Sequence, residues 1–236
     1  MVAAAAPKKK RRPPSGAPTN DLVLSGYRGF NEDVFPLILQ LYVAPGGVIA
    51  DTTFGRGIFW KKVPPIYTRH ETDLSKGVDA RKLPYEDESL DCVVFDPPYM
   101  HSSGGTSRQG GDHAHFETYY KNNHQARHSD GHLAVLQLYF EAAREAQRVL
   151  RKHGVYIVKC QDEVCANRQR LTHVEIINEL GANGWICEDL LVLLQEGRPG
   201  VSRMVKQLHF RKAHSYFLVF RKTAGKKVWT GPATRS

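Results

Sequence analysis

Short apolar runs alternate with stretches of helical periodicity along most of the chain. The run Leu90–Phe95 is continuous and bounded by acidic residues, which is typical of a strand buried on both faces. In 133–153 the apolar side chains recur every three or four residues, which predicts a helix closed by Gly154. Similar apolar runs predict strands at 48–51, 66–73, 90–95, 155–159, 185–194 and 215–221. Helical periodicity predicts further helices from Phe35 and at 171–181. This order predicts an α/β domain with a mainly parallel sheet.

The first helix is predicted to start near Phe35-Pro36, with proline in its first turn and Asn31 or Asp33 as the cap. Its predicted buried face is formed by Phe35, Ile38, Leu41 and Tyr42.

The run Leu90–Phe95 leads directly into Asp96-Pro97-Pro98-Tyr99. Two prolines stop a strand abruptly, because neither has a backbone N–H for the sheet ladder. A carboxylate, rigid carbonyls and an aromatic ring are therefore predicted at the carboxyl end of a central strand, where open α/β sheets bind ligands. A planar amine has two N–H donors, which a carboxylate and a fixed carbonyl would accept while the ring stacks on the attached base. The tetrapeptide alone also fits a strand that simply ends in a Pro-Pro turn.

Upstream residues favour the ligand-binding interpretation. Val48–Asp51 is a predicted strand that ends in an acid and is followed by Gly55 and Gly57, and such a turn lets a ligand approach the backbone closely. The next predicted strand ends at Asp73, which is where an acid accepts ribose hydroxyls in dinucleotide sites. Glu71 is the alternative ribose ligand, and an exposed strand end without a ligand is the simpler explanation.

These motifs resemble the class I S-adenosylmethionine-dependent amino-methyltransferases with a DPPY motif, the N6-adenine/N4-cytosine nucleic-acid family. Asp51, Gly55 and Gly57 match that family's Asp-Pro-Phe-x-Gly-x-Gly loop, with Thr52-Thr53 in place of Pro-Phe. The resemblance implies a Rossmann-like seven-stranded sheet with helices on both faces and the last strand antiparallel. It implies a catalytic set of Asp96, Pro97, Pro98 and Tyr99. It implies S-adenosylmethionine contacts from Phe35, Asp51, Thr52, Phe54, Gly55, Gly57, Asp73, Asp79, Ala80 and Asp96.

The substrate implied by the resemblance is the exocyclic amino group of a nucleobase. Asp96 as the first motif residue favours adenine N6, and the lack of an added RNA-binding module favours DNA. N4-cytosine DNA methylation and N6-adenine RNA methylation are the alternatives, and a subgroup that modifies a protein glutamine usually has Asn in that place. The alternative from another class is a non-catalytic nucleic-acid-binding protein on a methyltransferase fold.

Basic segments agree with a nucleic-acid partner. The net charge is +9, of which the five residues Lys8–Arg12 supply +5, leaving +4 (9 − 5) for the rest. The run Pro7–Arg12 suits either a nuclear import signal or a flexible phosphate-binding arm. A second basic segment precedes the last strand, and its predicted nucleic-acid contacts are Arg198, Arg203, Lys206, Arg211, Lys212 and His214.

The stretch 100–131 is rich in glycine and histidine and has no periodicity, so we expect a mobile lid that contacts the substrate. Zinc is an alternative role for His113, His115, His124, His128 and His132, but their spacing is loose and no cysteine is near, so no metal is predicted.

The predicted organisation is a disordered basic tail at 1–20, one methyltransferase domain at 21–223 and a tail at 224–236. No apolar run approaches the length of a membrane span, and Cys92, Cys160, Cys165 and Cys187 fall mostly in apolar segments, as free thiols do. We therefore expect an intracellular protein, in the cytoplasm or nucleoid, or in the nucleus if Pro7–Arg12 is an import signal.

Overall fold

The computed structural model describes residues 22–99, 131–196 and 206–223. The strands are β1 (Gly26–Arg28), β2 (Val48–Asp51), β3 (Thr68–Glu71), β4 (Leu90–Phe95), β5 (Leu150–Cys160), β6 (Glu163–Cys165), β7 (Arg168–Arg170), β8 (Trp185–Leu194) and β9 (His214–Lys222). The α-helices are α1 (Asn31–Tyr42), α2 (Gly131–Val149) and α3 (Thr172–Ala182), and short 3₁₀ turns cover Ile58–Trp60 and Leu74–Lys76.

Seven strands form one sheet in the order β1-β8-β9-β5-β4-β2-β3. β9 runs antiparallel to both of its neighbours, β5 and β8, and the other described pairs of this sheet are parallel. The predicted fold class is therefore confirmed: a Rossmann-like seven-stranded sheet with helices on both faces, whose last strand is antiparallel. The strand β1 was not predicted, since three residues carry no readable alternation.

The sheet is buried on both faces, as the continuous apolar strands predict. Cys92 and Val94 of β4 pack with α1 and the 3₁₀ turn at Ile58–Trp60, whereas Val93 and Phe95 pack with α2 and α3. All four side chains are at most 1% exposed. Full burial of such an apolar side chain contributes about 1.5–3 kcal/mol, so β4 is fixed firmly from both sides. The residue that follows β4 is held with it.

Two predicted helix boundaries were wrong. The helix α2 ends at Val149 rather than at His153, because the fully buried Leu150 already pairs with Leu90 in the sheet. Gly154 is not a helix cap: a Cβ there would lie 2.9 Å from the Arg151 carbonyl, so glycine allows a close backbone approach.

The helix α1 begins at Asn31, four residues before the predicted start, so Pro36 lies in its second turn. Asp33 supports the start by accepting the Phe30 N–H at 3.2 Å. Phe35 and Ile38 are buried as predicted, but Leu41 is 56% exposed and is not part of the buried face.

Parallel strands β2, β4 and β5 place their carboxyl ends at one edge of the sheet, and antiparallel β9 begins at the same edge. We call this the catalytic edge. Among the described residues, none of the helices has the length and apolarity needed to span a bilayer.

Candidate active site

Asp96 and Tyr99 form a hydrogen-bonded corner at the end of β4. The Tyr99 hydroxyl donates to Asp96 Oδ1 at 2.5 Å, which takes one of the two carboxylate oxygens. Lys159, at the end of the neighbouring strand β5, donates to the Tyr99 hydroxyl at 2.5 Å. Its ammonium also lies 3.8 Å from Asp96 Oδ2. The three side chains therefore hold each other in one arrangement.

Lys159 was not predicted from the sequence as a site residue. It is only 6% exposed, and its ammonium lies 5.6 and 5.7 Å from the ring centres of Phe59 and Phe217. Cation–π attraction and one ion pair offset the cost of burying this charge. The available signal was a lysine at the end of the apolar strand 155–159, which the topology places beside β4.

Thr53 connects the glycine loop to this corner. Its hydroxyl accepts the backbone N–H of Asp96 at 2.7 Å. Beside it, Thr52 donates its hydroxyl to the Val94 carbonyl at 2.8 Å and is buried. Proline and phenylalanine, which the family has at these two places, have no side-chain oxygen. The Thr52-Thr53 pair thus ties the end of β2 to the end of β4 in a way that Pro-Phe does not.

Asp51 is a buried carboxylate at the end of β2, 3% exposed. It accepts the Trp60 indole N–H at 2.7 Å and the Thr53 N–H at 3.1 Å. Burial raises the pKa of Asp51 to about 7, the two hydrogen bonds oppose this, and the carboxylates of Asp96 and Asp73 add to it. No cation of the described residues forms an ion pair with Asp51, so a positively charged ligand fits this place.

The glycine loop has the open backbone that was predicted. Gly55 and Gly57 have φ angles of 51° and 66°, in the left-handed region that favours glycine. A Cβ on Gly57 would also lie 2.6 Å from the Phe54 ring, so a larger residue there would displace that ring as well as strain the backbone. A Cβ on Gly55 would meet nothing closer than 3.9 Å, which leaves room for a ligand against the backbone.

The predicted ribose acid Asp73 contacts this loop. Its carboxylate accepts the Gly55 N–H at 3.0 Å and the Ser75 N–H at 2.8 Å. Glu71 is instead paired with Arg69 at 2.5 Å. The geometry therefore brings Asp73, rather than Glu71, to the glycine loop.

Three other predicted cofactor residues have different surroundings. Phe35 is fully buried against Phe59, Trp60 and Phe217. Asp79 is held by Arg81 at 2.6 Å; burial alone would raise its pKa, but the Arg81 contacts lower it. Ala80 is buried in the core. Cofactor contact by these three stays a prediction.

One cleft of about 180 Å³ gathers the main elements: it is lined by Asn31, Asp51, Thr53, Phe54, Gly55, Arg56, Ile58, Phe59 and Asp96. The Oδ1 atom of Asn31 is buried and has no hydrogen-bond partner among the described residues. An unpaired acceptor, an uncompensated carboxylate and an open glycine backbone suit a ligand with an ammonium, a sulfonium and hydroxyl groups, as S-adenosylmethionine has. A larger cleft of about 460 Å³, lined by Gly47, Asp91 and Arg151 among others, lies at the opposite edge and contains none of the predicted residues.

The structure describes four of the six predicted nucleic-acid contacts. Arg198 and Arg203 lie outside the described residues. Lys206 and Arg211 are exposed, Lys212 donates to Gln169 Oε1, and His214 Nε2 lies 2.9 Å from the Tyr216 hydroxyl at the catalytic edge.

Residues 100–130 of the predicted lid, including His113, His115, His124 and His128, also lie outside the described residues, and Gly131 is the first residue of α2. His132 is described: it lies between Glu163 and Glu175, at 2.7 and 3.1 Å. Within the described ranges no group of three potential ligands is arranged to hold a metal ion.

The family model described as DNA methylase matches residues 90–234, from β4 onward. Three solved structures are similar in shape at low identity. TrmN from Thermus thermophilus has 16% identity, a TM-score of 0.46 and coverage of 80% of this chain and 48% of its own. A second Thermus thermophilus protein, in complex with S-adenosyl-L-methionine, has 20% identity, a TM-score of 0.40 and coverage of 64% and 55%. The PvuII cytosine-N4-specific DNA methyltransferase has 10% identity, a TM-score of 0.43 and coverage of 62% and 48%.

The chain spans about half the length of each of these structures. The comparison with curated proteins gave no match. The family match is the decisive one, because it covers more than half of the chain and includes the Asp96–Tyr99 corner. The chain belongs to the N6/N4 DNA methylase family of nucleic-acid amino-methyltransferases, which use S-adenosylmethionine.

Proposed function

We propose that the protein methylates the exocyclic amino nitrogen of a nucleobase, adenine N6 in DNA being the preferred target. The observation that carries this proposal is the shared cleft: Asp51, Gly55 and Asp96 line one space, and Thr53 fixes the distance between the glycine loop and Asp96. A methyl donor on the loop and an amine on Asp96 would therefore meet without a large rearrangement. Holding two reactants in line accounts for much of the rate in such transfers.

Asp96 and Pro97 would hold the amine. Because the Tyr99 hydroxyl occupies Asp96 Oδ1, the free acceptor is Oδ2, and the Pro97 carbonyl is the second acceptor. Both draw the amino hydrogens away from the plane of the base, which makes the nitrogen lone pair available. Lys159 fixes the Tyr99 ring through its hydroxyl and leaves that ring as a stacking surface for the base.

Asn31, Asp51 and Gly55 would hold the methyl donor, with Asp73 on the ribose. Bound S-adenosylmethionine would supply a methyl group on a positively charged sulfur, and this sulfur would leave as a neutral thioether when the methyl group passes to the amino nitrogen. The carboxylate of Asp51 attracts the positive charge, and Asn31 Oδ1 gains the hydrogen bond that it lacks. The nitrogen loses one proton after the transfer, and Asp96 Oδ2 is the nearest base to receive it or pass it to water.

Adenine is preferred to cytosine because Asp96, rather than serine, begins the motif. Incubation with deuterium-labelled S-adenosylmethionine and either DNA or RNA, followed by mass spectrometry of the nucleosides, separates the outcomes. N6-methyladenine from DNA is expected. N4-methylcytosine, or product from RNA alone, would redirect the substrate, and no product despite tight cofactor binding would favour the non-catalytic alternative.

A further inference from the structure

Two segments that are exposed in part are joined at the catalytic edge into one surface. The first is the hairpin 163–170, made of β6 and β7, whose two-residue turn has Ala166 and Asn167 at φ 49° and 58°. The second is the segment 206–213, immediately before β9. His209 Nε2 lies 3.1 Å from Asn167 Oδ1, and Lys212 donates to Gln169, so the two segments hold each other. We call this combined region the hairpin surface.

The hairpin surface carries cations that have no acidic partner. They are Arg168, Arg170, Lys206, Arg211 and Lys212, and none forms an ion pair with any described residue. Its acid, Glu163, is 2% exposed and is held by His132. Elsewhere many cations are paired, as Arg148 is with Asp87 and Arg221 with Glu188. Uncompensated positive charge on one surface is the feature that attracts a polyanion.

Besides Leu208, which is 64% exposed, the large apolar residue of this surface is Phe210. It is 89% exposed, although hydrogen bonds hold the residues on either side of it. Gln207 donates to the His209 carbonyl at 2.9 Å, and Lys212 donates to Gln169. Single exposed apolar residues are common and usually need no explanation. Phe210 differs because it stands beside Arg211 in a cationic surface. Apolar side chains in such surroundings enter the base stack of a bound duplex.

The hairpin surface adjoins the candidate active site. β6 begins one residue after Asp162, and β5 ends two residues before Asp162. Gln161 donates to the His214 carbonyl at 2.7 Å, and Lys159 pairs with Phe217 in the sheet. The hairpin therefore begins, and the segment 206–213 ends, within a few residues of strand positions beside the Lys159–Tyr99–Asp96 corner.

We propose that the hairpin surface binds duplex DNA, with its cations on the sugar–phosphate backbone and Phe210 inserted into the base stack where the target base leaves. This rests on the proposed function and extends it from a nucleobase to a paired one. A paired base cannot present its amino group to Asp96 unless it turns out of the helix, which costs its pairing and stacking interactions. Stacking of Phe210 on the bases that remain offsets part of that cost, since aromatic side chains stack favourably on bases of any sequence.

The test of insertion compares native with heat-denatured genomic DNA as methyl acceptor. In Phe210→Ala, methylation of native DNA is expected to fall at least tenfold, whereas methylation of denatured DNA stays within about threefold of the wild type. Phe210→Trp should restore the native rate. The matched control is Ile186→Ala, which removes a 55% exposed side chain at the opposite end of β8. An equal loss on both substrates, or a loss on neither, would overturn the insertion role.

The test of the cationic surface does not depend on methylation. Binding to a fluorescent 20-base-pair duplex is measured by anisotropy over a series of salt concentrations. Arg168→Ala and Arg211→Ala should each reduce the slope of log K against log salt by about 0.9, whereas Lys152→Ala at the opposite edge should not. Unchanged slopes, or tighter binding to an RNA duplex, would overturn the proposal. Normal slopes without any methylated product would overturn the proposed function instead.

Discussion

The hydroxyl of Thr53 accepts the backbone N–H of Asp96 at 2.7 Å, across the ends of the neighbouring strands β2 and β4. This bond joins the loop that is proposed to hold the methyl donor to the carboxylate that is proposed to hold the amine. A displacement of either one is therefore transmitted to the other. Geometry between donor and acceptor is what a methyltransferase has to control.

Thr53→Val removes this acceptor at nearly constant volume. Loss of one hydrogen bond at a partly buried N–H costs about 1–3 kcal/mol, so kcat/KM should fall roughly tenfold or more. Thr53→Ser, which keeps the oxygen, should retain most of the activity. Steady-state methyl transfer at saturating cofactor measures both. Full activity in Thr53→Val, or a loss in Thr53→Ser alone, would contradict the role given to this hydrogen bond.

Asn31→Ala should weaken cofactor binding without weakening the fold. Its Oδ1 has no hydrogen-bond partner in the described protein, so the ligand-free protein loses nothing there, whereas the complex loses a hydrogen bond of about 1 kcal/mol or more. Isothermal titration with the demethylated product should show a five- to tenfold weaker Kd. Unchanged affinity would place the ligand away from Asn31.

Asp51→Asn should change how stability depends on pH. Burial raises the pKa of Asp51 to about 7, so the folded protein holds this proton more tightly than the unfolded chain. The stabilisation that protonated Asp51 contributes to the folded protein is fully present below about pH 4 and is lost as the pH rises through about 7. Relative to the wild type, the variant should therefore gain about 2.7 kcal/mol of stability between pH 5 and pH 8, since two pH units of that range lie below a pKa of about 7.

Urea unfolding at the two pH values measures this difference. Asp91→Asn is a control of opposite sign: burial would raise the pKa of Asp91, but Arg151 and the Val48 N–H lower it, so its contribution is lost only in acid. The effect of Asp91→Asn should be the same at pH 5 and pH 8. A wild-type advantage over Asp51→Asn that grows with pH would contradict the assigned direction.

Cofactor affinity should rise with pH over the same range. A cationic ligand favours the ionised form of Asp51, so its binding releases a proton while this group is partly protonated. The shift in Tm produced by S-adenosylmethionine should be larger at pH 8 than at pH 6. In Asp51→Asn the shift should be smaller and nearly independent of pH. A larger shift at pH 6 in the wild type would exclude Asp51 as the charged partner.

Lys159→Met should fold normally but turn over slowly. Methionine fills the space between Phe59 and Phe217, and the Asp96 side chain keeps 23% exposure, so water can solvate it. Without the ammonium, Tyr99 and Asp96 lose their anchor, and kcat should fall roughly 10- to 100-fold, about 1.4–2.7 kcal/mol. Lys82→Met, at an exposed lysine, is the control. A Kd for cofactor that weakens as much as kcat would assign Lys159 a structural role instead.

The parts of the site that the sequence predicted are those in which local chemistry dictates local structure. Two prolines after an apolar run end a strand, and glycine is favoured where φ is positive, so the end of β4 before Asp96 and the glycine loop after β2 follow from the local sequence. Lys159 depends instead on which strands are neighbours. The sequence does not show which strand ends lie side by side until the order of the strands in the sheet is known.

The errors in the fold have a similar cause. The stretch 150–153 continues the helical pattern, but pairing of Leu150 with Leu90 outweighs it. β1 is held by its pairing with β8, and the hairpin 163–170 is held by contacts with residues more than forty positions away. Partners so distant in sequence leave no periodic signal within the segment itself.

The central claim is that Asp96 holds the amine beside a methyl donor bound at the glycine loop. The most direct measurement is a single-turnover reaction with deuterium-labelled S-adenosylmethionine, followed by nucleoside mass spectrometry, for the wild type and Asp96→Ala. Labelled N6-methyladenine is expected from the wild type, and none from Asp96→Ala, whose cofactor Kd should stay within a few-fold of normal. Full product formation by Asp96→Ala would contradict it.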